Sequence, residues 1–400
     1  MFVIFLFQVT FCNLNPVNYF RNKKANETIT EIFLSLLSDE AKNNSDILDY
    51  ACDKSINTFI QTNLMLPNDP FEMRLRDKLF SIDDMLLSCF YNQQPCTKAD
   101  FKPYYSGAYG LCYTFNSGYD QNLKPIAVHS SVKPGELNGL QVELFVGSPE
   151  NLPCWVTTNG AIVSVHNKSA FPLVAEEGIK LVTGKETNLV VDRTYVTRKS
   201  SPYGDCVDDF TPNGTTKFSR SPFFRATLLK LSSYSQNHCI SDCASDLGDR
   251  FNVSSCIDDG NMTVSEMRNC LIKATNFEPF YPLCFSSCPM ECRESLLTVT
   301  PHLANYPTNA YAISMSKNIE NFTERFLSAY DLLALRLNKT INVSISYETI
   351  KNSILAFNVY YDAMMFTQIE EVPAITFGDV LASKLLLLLF FNQLIKFHSI

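Results

Sequence analysis

Two stretches of the chain alternate apolar and polar residues with the two-residue period of a β-strand. Successive side chains of a strand point to opposite faces of its sheet, so this alternation puts the apolar residues on one face. Each stretch therefore predicts a half-buried strand. The apolar positions are Leu140, Val142, Leu144 and Val146 in the first stretch, and Leu355, Phe357, Val359 and Tyr361 in the second.

Three other segments carry a helix start signal, in which a hydroxyl residue is followed three positions later by an acidic residue. They are Thr28-x-x-Glu31, Ser81-x-x-Asp84 and Thr263-x-x-Glu266. After Thr28 the apolar residues recur at helical spacing, whereas the helix after Ser81 is predicted to be short. Strands with helical insertions indicate an α+β fold with an antiparallel β core.

The chain has 400 residues, more than one hydrophobic core usually supports. No internal repeat and no Gly- or Pro-rich linker divides it, so we expect intertwined subdomains. Its formal net charge of −8 argues against nucleic acid or anionic lipid as an electrostatic partner. The same charge favours cations near the surface.

Cysteines and glycosylation sequons indicate an oxidising compartment. The 14 cysteines form an even set, as in disulfide-bonded extracellular proteins. Nine Asn-x-Ser/Thr sequons accompany them and are candidate glycosylation sites. Their asparagines are Asn26, Asn43, Asn167, Asn213, Asn252, Asn261, Asn321, Asn338 and Asn342.

Catalytic and metal-binding chemistry is not indicated. The spacings Cys239-x3-Cys243 and Cys284-x3-Cys288-x3-Cys292 suit paired disulfides between a helix and a facing strand better than a zinc site. His238 beside Cys239 could suggest a nucleophile pair, but adjacent residues rarely face each other. No hydrolase, zinc-protease or phosphate-loop motif occurs, so neither an enzyme nor a cofactor is predicted. A disulfide-rich hydrolase is kept only as a third hypothesis.

Five acidic pairs are candidates for cation or proton binding, because close carboxylates raise each other's pKa. The alternative, a solvated surface, suits most such pairs. They are Asp83-Asp84, Glu176-Glu177, Asp208-Asp209, Asp258-Asp259 and Glu370-Glu371.

Both ends of the chain are apolar. Met1–Phe7 has only a weak similarity to a signal peptide, since it lacks basic residues and a clear cleavage site. Leu385–Phe391 is strongly apolar but shorter than the roughly 20 residues that a spanning helix needs. A membrane segment and an interfacial or packed tail helix are both open for this end.

A set of motifs, taken in chain order, resembles the extracellular part of the degenerin, epithelial sodium channel and acid-sensing channel family. The likeness covers about 7–383, nearly the whole chain. The motifs are Gln8–Pro16, Asp84–Cys96, Tyr109–Gly118, Ala161–His166, Pro202–Cys206, Cys284–Cys292 and Asn305–Ala312.

The resemblance implies a hand-like, disulfide-rich ectodomain with a β palm, a β-ball and helical finger, thumb and knuckle. Three related subunits, identical or different, would surround a sodium pore in the plasma membrane, with most of the chain extracellular. The implied boundaries are 1–20 for the first palm strand, 21–108 finger, 109–233 palm and β-ball, 234–300 thumb, 301–350 knuckle, 351–373 last palm strands and 374–400 second membrane segment.

The resemblance also implies the cysteine pairing. Five pairs carry over directly, Cys256–Cys270 follows by position in the thumb, and Cys52–Cys154 is what remains. The five are Cys12–Cys112, Cys89–Cys96, Cys206–Cys292, Cys239–Cys288 and Cys243–Cys284.

The chain departs from the family pattern at both ends. The first membrane helix would precede Phe7, and a Gly-x-Ser selectivity filter would follow Ser383, where Lys384–Phe391 stands instead. We therefore expect a subunit of a non-voltage-gated, amiloride-sensitive-type sodium channel that does not conduct as given. The alternative is a soluble or tail-anchored ectodomain that modulates intact subunits.

Acid-gated members of the family place carboxylates after the palm histidine and in the thumb helices, but Asn167–Phe171 after His166 and Leu271–Phe277 hold none. The gating stimulus therefore stays open among a proton, a peptide, mechanical force and constitutive opening. Pro202-Tyr203 resembles the turn that rests against the first membrane helix in the family. Tyr203 is therefore predicted to couple the ectodomain to gating and to be exposed in this chain. The alternative is a tyrosine that merely caps a β-turn.

Overall fold

The computed structural model describes residues 7–18, 78–106, 109–119, 124, 126–130, 133–149, 152, 156–167, 172–207, 235–237, 239–240, 243, 281–319, 321–326, 345–372, 381–382 and 384. Within these ranges the chain is rich in strands and has few helices.

The strands are β1 Gln8–Asn13, β2 Leu86–Tyr91, β3 Gln94–Pro95, β4 Phe101–Ser106, β5 Gly110–Phe115, β6 Leu140–Phe145, β7 Gly160–His166, β8 Ile179–Val182, β9 Lys185–Thr197, β10 Arg293–Asn305, β11 Ile354–Tyr361 and β12 Thr367–Glu370. The α-helices are α1 Ile82–Met85, α2 Val174–Glu177, α3 Tyr281–Phe285, α4 Asn309–Asn318 and α5 Tyr347–Lys351. Short 3-10 helices are Lys98–Asp100, Glu136–Asn138 and Thr323–Phe326.

A five-stranded antiparallel sheet has the order β4-β5-β1-β7-β8. Its central strand, β1, is buried along its whole length. Cys12 lies directly opposite Cys112 of β5 in the register, so the disulfide between them links neighbouring strands.

A seven-stranded sheet has the order β10-β9-β11-β6-β2-β3, with β12 also paired to β9. The expectation of an antiparallel core is wrong for part of this sheet, because β9 pairs in parallel with both β11 and β12. Parallel neighbours need a long connection. Here the connection from β9 to β11 is long, because it contains β10, α4 and α5.

Aromatic side chains join the two sheets. The ring of Phe11 in β1 lies 5.9 Å from the ring of Phe357 in β11, and both residues are fully buried. Phe7 makes a similar contact with Tyr361, at 5.3 Å. Because rings of this size bury large apolar areas, these contacts contribute strongly to the core that the two sheets share.

The two strands expected from the alternating pattern are present, but only one is half-buried. In β6 the residues Leu140, Val142 and Leu144 are buried and the residues between them are half-buried. In β11 the intervening Ile354, Ala356 and Asn358 are buried as well. The prediction of a half-buried second strand is wrong, since seven of the eight residues of β11, on both of its faces, are buried.

The capping box at Ser81 is confirmed, because the hydroxyl of Ser81 accepts from the amide of Asp84, and the carboxylate of Asp84 accepts from the amide of Ser81. The helix it opens is a single turn. Leu86 already pairs with Leu144 of β6, so the chain enters a strand. The helix starts predicted at Thr28 and Thr263 lie outside the described residues.

Within the described ranges, no helix has the length and apolar character that crossing a membrane requires.

Candidate functional site at the junction of three strands

Three strands meet at one edge of the larger sheet. Thr197, the last residue of β9, pairs with Arg293 of β10 on one side and with Glu370 of β12 on the other. The carbonyl of Thr197 also accepts from the amide of Glu371, at 2.9 Å. We call this region, with the loop 198–207 that leaves β9, the junction.

Arg198 anchors the start of this loop to β10. Its guanidinium donates to the main-chain carbonyl of Glu291 at 2.9 Å and to the carboxylate of Glu294 at 2.7 Å. Both side chains of the ion pair are largely buried, at 20% and 25% exposed. The next residue, Lys199, donates its amide to the carboxylate of Glu371 at 2.9 Å. The loop is therefore fixed to both neighbours of β9.

A disulfide closes the other end of the loop. Cys206 is bonded to Cys292, with 4.9 Å between their Cα atoms. The amide of Val207 donates to the carbonyl of Met290, and the amide of Cys292 donates to the carbonyl of Val207, both at 2.9 Å. Loop 198–207 thus begins and ends against the start of β10.

Tyr203 lies at the tip of this closed loop. Its amide donates to the carbonyl of Ser200 at 3.1 Å, which forms a turn. The side chain is 66% exposed, as the sequence led us to expect. An exposed aromatic on an anchored turn can contact another segment or another chain, and its role in gating stays a prediction.

A cavity of about 500 Å³ opens beside the junction, between β7 and β10. Three carboxylates line it, those of Glu177, Glu291 and Glu294. His166 and Asn167 form part of the β7 side. The apolar part of the wall consists of Val165, Ile179, Met290, Leu296, Leu297 and Val299.

The carboxylates of the cavity repel one another. Removal from water raises the pKa of Glu177, the negative charges of Glu176, Glu291 and Glu294 raise it further, and a hydrogen bond from Asn237 lowers it. The pKa of Glu176 is also raised by burial. Both residues still have exposed surface, so solvent screens much of this repulsion.

His166 is buried and neutral at physiological pH. Burial lowers its pKa to about 4, against a weaker opposing effect from its contact with the carbonyl of Asn167. Its Nε2 lies 2.8 Å from the hydroxyl of Thr10, which in turn lies 2.8 Å from the hydroxyl of Thr114. The ring thus ties three neighbouring strands of the smaller sheet together.

A second polar cluster lies away from the junction, around Glu143 of β6. One carboxylate oxygen accepts from the hydroxyls of Tyr306 and Tyr311, each at 2.8 Å. The other oxygen accepts from the hydroxyl of Ser88 of β2. The cluster therefore holds the start of α4 against the β2–β3 hairpin.

The structure brings together five of the expected cysteine pairs, with Cα separations from 4.3 to 5.9 Å. Cys256, Cys270, Cys52 and Cys154 lie outside the described residues, so their pairing stays a prediction. The bonded pairs are Cys12–Cys112, Cys89–Cys96, Cys206–Cys292, Cys239–Cys288 and Cys243–Cys284.

The other candidate residues are only partly described. Two sequon asparagines, Asn167 and Asn321, lie in the described ranges. Of the acidic pairs, Asp208-Asp209 and Asp258-Asp259 lie outside these ranges. The part of the chain that the structure describes contains no His, Cys, Asp and Glu group suited to a metal ion. The sequon asparagines outside the described ranges are Asn26, Asn43, Asn213, Asn252, Asn261, Asn338 and Asn342.

The contacts of Arg198, Glu291 and Glu294 were not predicted from the sequence. Arg198 is separated from Glu291 by 93 positions and from Glu294 by 96, so no local pattern connects them. The one available signal was position, since Glu291 and Glu294 flank a cysteine that the family resemblance paired with Cys206.

Comparison with known proteins identifies the class to which this fold and its disulfides belong, a family of ion channels. The family model described as amiloride-sensitive sodium channel matches residues 5–384. The chain belongs to this family, and the resemblance noted in its motifs is confirmed.

Individual relatives are distant. The beta subunit of the epithelial sodium channel of Mus musculus is 24% identical over 306 residues, which cover 74% of this chain and 43% of the relative. The gamma-2 subunit of Xenopus laevis is 25% identical over 365 residues, covering 86% and 49%. The gamma subunit of Pelodiscus sinensis is 32% identical over 139 residues, covering 35% and 20%. The chain spans less than half the length of these curated relatives.

Proposed function

We propose that the chain is a subunit of a non-voltage-gated sodium channel of the amiloride-sensitive type. The family match over residues 5–384 carries the proposal. The fold agrees with it, since a strand-rich domain closed by disulfides suits an extracellular part of a channel. The transported ion is sodium, and the protein lies in the plasma membrane with most of the chain outside the cell.

We further propose the hand-like division into palm, β-ball, finger, thumb and knuckle, with the boundaries given by the resemblance. Support comes from the position of the elements in the chain. By these boundaries β1, β7, β9 and β11 lie in the proposed palm and β-ball, the β2–β3 hairpin in the finger and α4 in the knuckle, while β10 runs from the end of the thumb into the knuckle. The disulfides Cys239–Cys288 and Cys243–Cys284 lie in the proposed thumb.

Assembly follows from the same proposal. The relatives in mouse and frog are named as subunits of an epithelial sodium channel. We infer that this chain likewise assembles with related subunits, as a homo- or heterotrimer around the pore.

The junction is the proposed coupling element. Arg198, Lys199 and the Cys206–Cys292 bond hold loop 198–207 against β10 and the end of β12. Because both ends of the loop are held, a movement of β9 or β10 should also move Tyr203. Because Tyr203 is exposed at the tip of the loop, it is suited to contact a membrane-spanning segment.

The test of the function is a current measurement. The full chain would be co-expressed with related channel subunits in cells, and the amiloride-blockable sodium current would be recorded with surface biotinylation. We expect the chain to co-purify with the partner subunits and to change this current. If the chain does not co-purify with the partner subunits and does not change the current, the proposed function is wrong.

The coupling role has its own test in the same cells. Tyr203→Ala should slow or weaken gating, leave the surface amount near normal, and change the stability of the chain by less than about 0.5 kcal/mol, as for other surface changes. Leu303→Ala is the matched control, because Leu303 is 62% exposed but lies at the far end of β10. Equal gating in the two variants would remove Tyr203 from the coupling role.

A further inference from the structure

Asn321 has the geometry of an open glycan acceptor. It lies in an exposed turn between α4 and the 3-10 helix Thr323–Phe326, with φ at +55°. Asparagine tolerates this left-handed conformation better than most residues. The ring of Phe322 is 1% exposed, which fixes the turn, while Asn321 and Thr323 on either side remain exposed. Within the described part of the chain, the side-chain amide of Asn321 makes no hydrogen bond.

Asn167 has the opposite environment, although it is also a sequon asparagine. It follows the end of β7, and its side-chain amide donates to the main-chain carbonyl of Ser295 in β10. The side chain is half-buried and forms part of the cavity wall beside the carboxylates. Because β7 belongs to the smaller sheet and β10 to the larger, this hydrogen bond ties the two sheets together.

A glycan at Asn167 would be bonded to the same nitrogen atom that makes this hydrogen bond, in place of one of its two hydrogens. N-linked sugar is bonded to the side-chain nitrogen of asparagine and needs open space around it, because the oligosaccharide is bulky and hydrated. Asn321 is exposed, so a sugar there has open space. At Asn167 the nitrogen faces the backbone of β10, so the first sugar would have to displace the contact with Ser295 or fill the cavity.

We propose that Asn321 carries an N-linked oligosaccharide and that Asn167 stays unmodified and serves as a positioning residue between the two sheets. This inference rests on the extracellular placement in the proposed function.

The first experiment maps the glycans. The full chain is expressed in mammalian cells, treated with peptide N-glycosidase F, and analysed by gel mobility and by peptide mass spectrometry, which detects the conversion of a modified asparagine to aspartate. N321Q and T323A should each remove one glycan, whereas T323S, which keeps the sequon, should retain it. N167Q and S169A should leave the number of glycans unchanged.

The outcomes separate this inference from the proposed function. A wild-type chain that the glycosidase leaves unchanged would contradict the extracellular placement and, with it, the assignment of Asn321. A chain with glycans elsewhere but none at Asn321, or with one at Asn167, would overturn the inference alone.

The second experiment tests the positioning role of Asn167. N167D keeps the size of the side chain but cannot donate to Ser295, and it adds a negative charge to a cavity wall that carries three glutamates and two arginines. We expect N167D to lower the thermal midpoint of the chain by roughly 2–4 °C. S169A removes the sequon and keeps the hydrogen bond, so its midpoint should equal that of the wild type. If S169A is destabilised as much as N167D, or N167D not at all, the positioning role is wrong.

Discussion

The guanidinium of Arg198 lies 2.7 Å from the carboxylate of Glu294, where β9 ends and β10 begins. The same guanidinium also donates to the carbonyl of Glu291, so one side chain holds two points of the neighbouring strand. Both partners are largely buried, which makes this pair more sensitive to truncation than a surface ion pair.

Removing Arg198 should destabilise the junction. Arg198→Ala leaves Glu294 without its counter-charge, beside Glu177 and Glu291, and leaves the carbonyl of Glu291 without its donor. We expect a loss of about 2–3 kcal/mol in the free energy of unfolding, measured by urea denaturation of the full chain. Arg198→Lys is the matched control: it keeps the charge but not the two-pronged donor, so its loss should be smaller. A loss within 0.5 kcal/mol for Arg198→Ala, the range of surface changes, would contradict this.

His166 should make the chain sensitive to acid. Its pKa is about 4 in the folded state and 6.5 as the ordinary value. Between these values the unfolded chain binds a proton that the folded chain does not, so stability falls as the pH falls from 6.5 towards 4. The full loss from this residue is about 3 kcal/mol.

The carboxyls of Glu176 and Glu177 act in the opposite direction, because their raised pKa values favour the folded, protonated form at low pH. Their stabilising contribution is lost as the pH rises through the folded-state pKa. His166→Gln should therefore flatten the decline in stability between pH 6.5 and pH 4, and Glu177→Gln should steepen it. Urea denaturation at several pH values measures both slopes, and parallel slopes for His166→Gln and the wild type would exclude His166 as the cause.

The carboxylate of Glu143 should be more important to stability than either tyrosine that contacts it. It accepts hydrogen bonds from Tyr306, Tyr311 and Ser88, so Glu143→Ala leaves the buried hydroxyl of Tyr306 without this partner. We expect a cost of about 2–3 kcal/mol in thermal or urea unfolding. Tyr311→Phe, at an exposed position, removes one hydrogen bond and should cost about 1 kcal/mol or less. Equal losses in the two variants would show that the cluster is not centred on Glu143.

Features that depend on residues close together in the chain could be predicted from the sequence, whereas the polar clusters around Arg198 and Glu143 could not. The Ser81–Asp84 capping box and the strand Leu140–Phe145 depend on neighbours within a few residues, and both were predicted. The pairing of the cysteines was predicted from the family resemblance.

Long-range contacts could not be predicted in the same way. The parallel pairing of β9 with β11 and the contact of Asn167 with Ser295, 128 positions away, depend on how distant segments fold back on each other. The alternating pattern in β11 also gave no sign that Ile354, Ala356 and Asn358 on its other face are buried. Strand propensity does not specify which distant strand will be the neighbour, because the same residues can pack against several partners.

The last prediction compares two disulfides that close loops of very different length. Cys206 and Cys292 are 86 positions apart, whereas Cys89 and Cys96 are 7 apart. A disulfide stabilises mainly by restricting the unfolded chain, and the restriction grows with loop length, which gives roughly 4–5 kcal/mol for the long loop and roughly 2–3 kcal/mol for the short one. Replacing Cys206 and Cys292 by serine should therefore destabilise the chain more than replacing Cys89 and Cys96 by serine.

Urea denaturation of the two double variants measures this difference, and non-reducing peptide mapping of the wild type checks that the replaced bonds were present. The Cys206→Ser/Cys292→Ser variant should also loosen the end of loop 198–207 from the start of β10, so a protease should cleave next to Tyr203 faster than in the wild type or in Cys89→Ser/Cys96→Ser. Because Arg198 and Glu371 still anchor the start of the loop, cleavage should concentrate after Tyr203 rather than after Lys199. A larger loss of stability from the short loop, or a map that joins Cys206 to another cysteine, would overturn the role given to this bond.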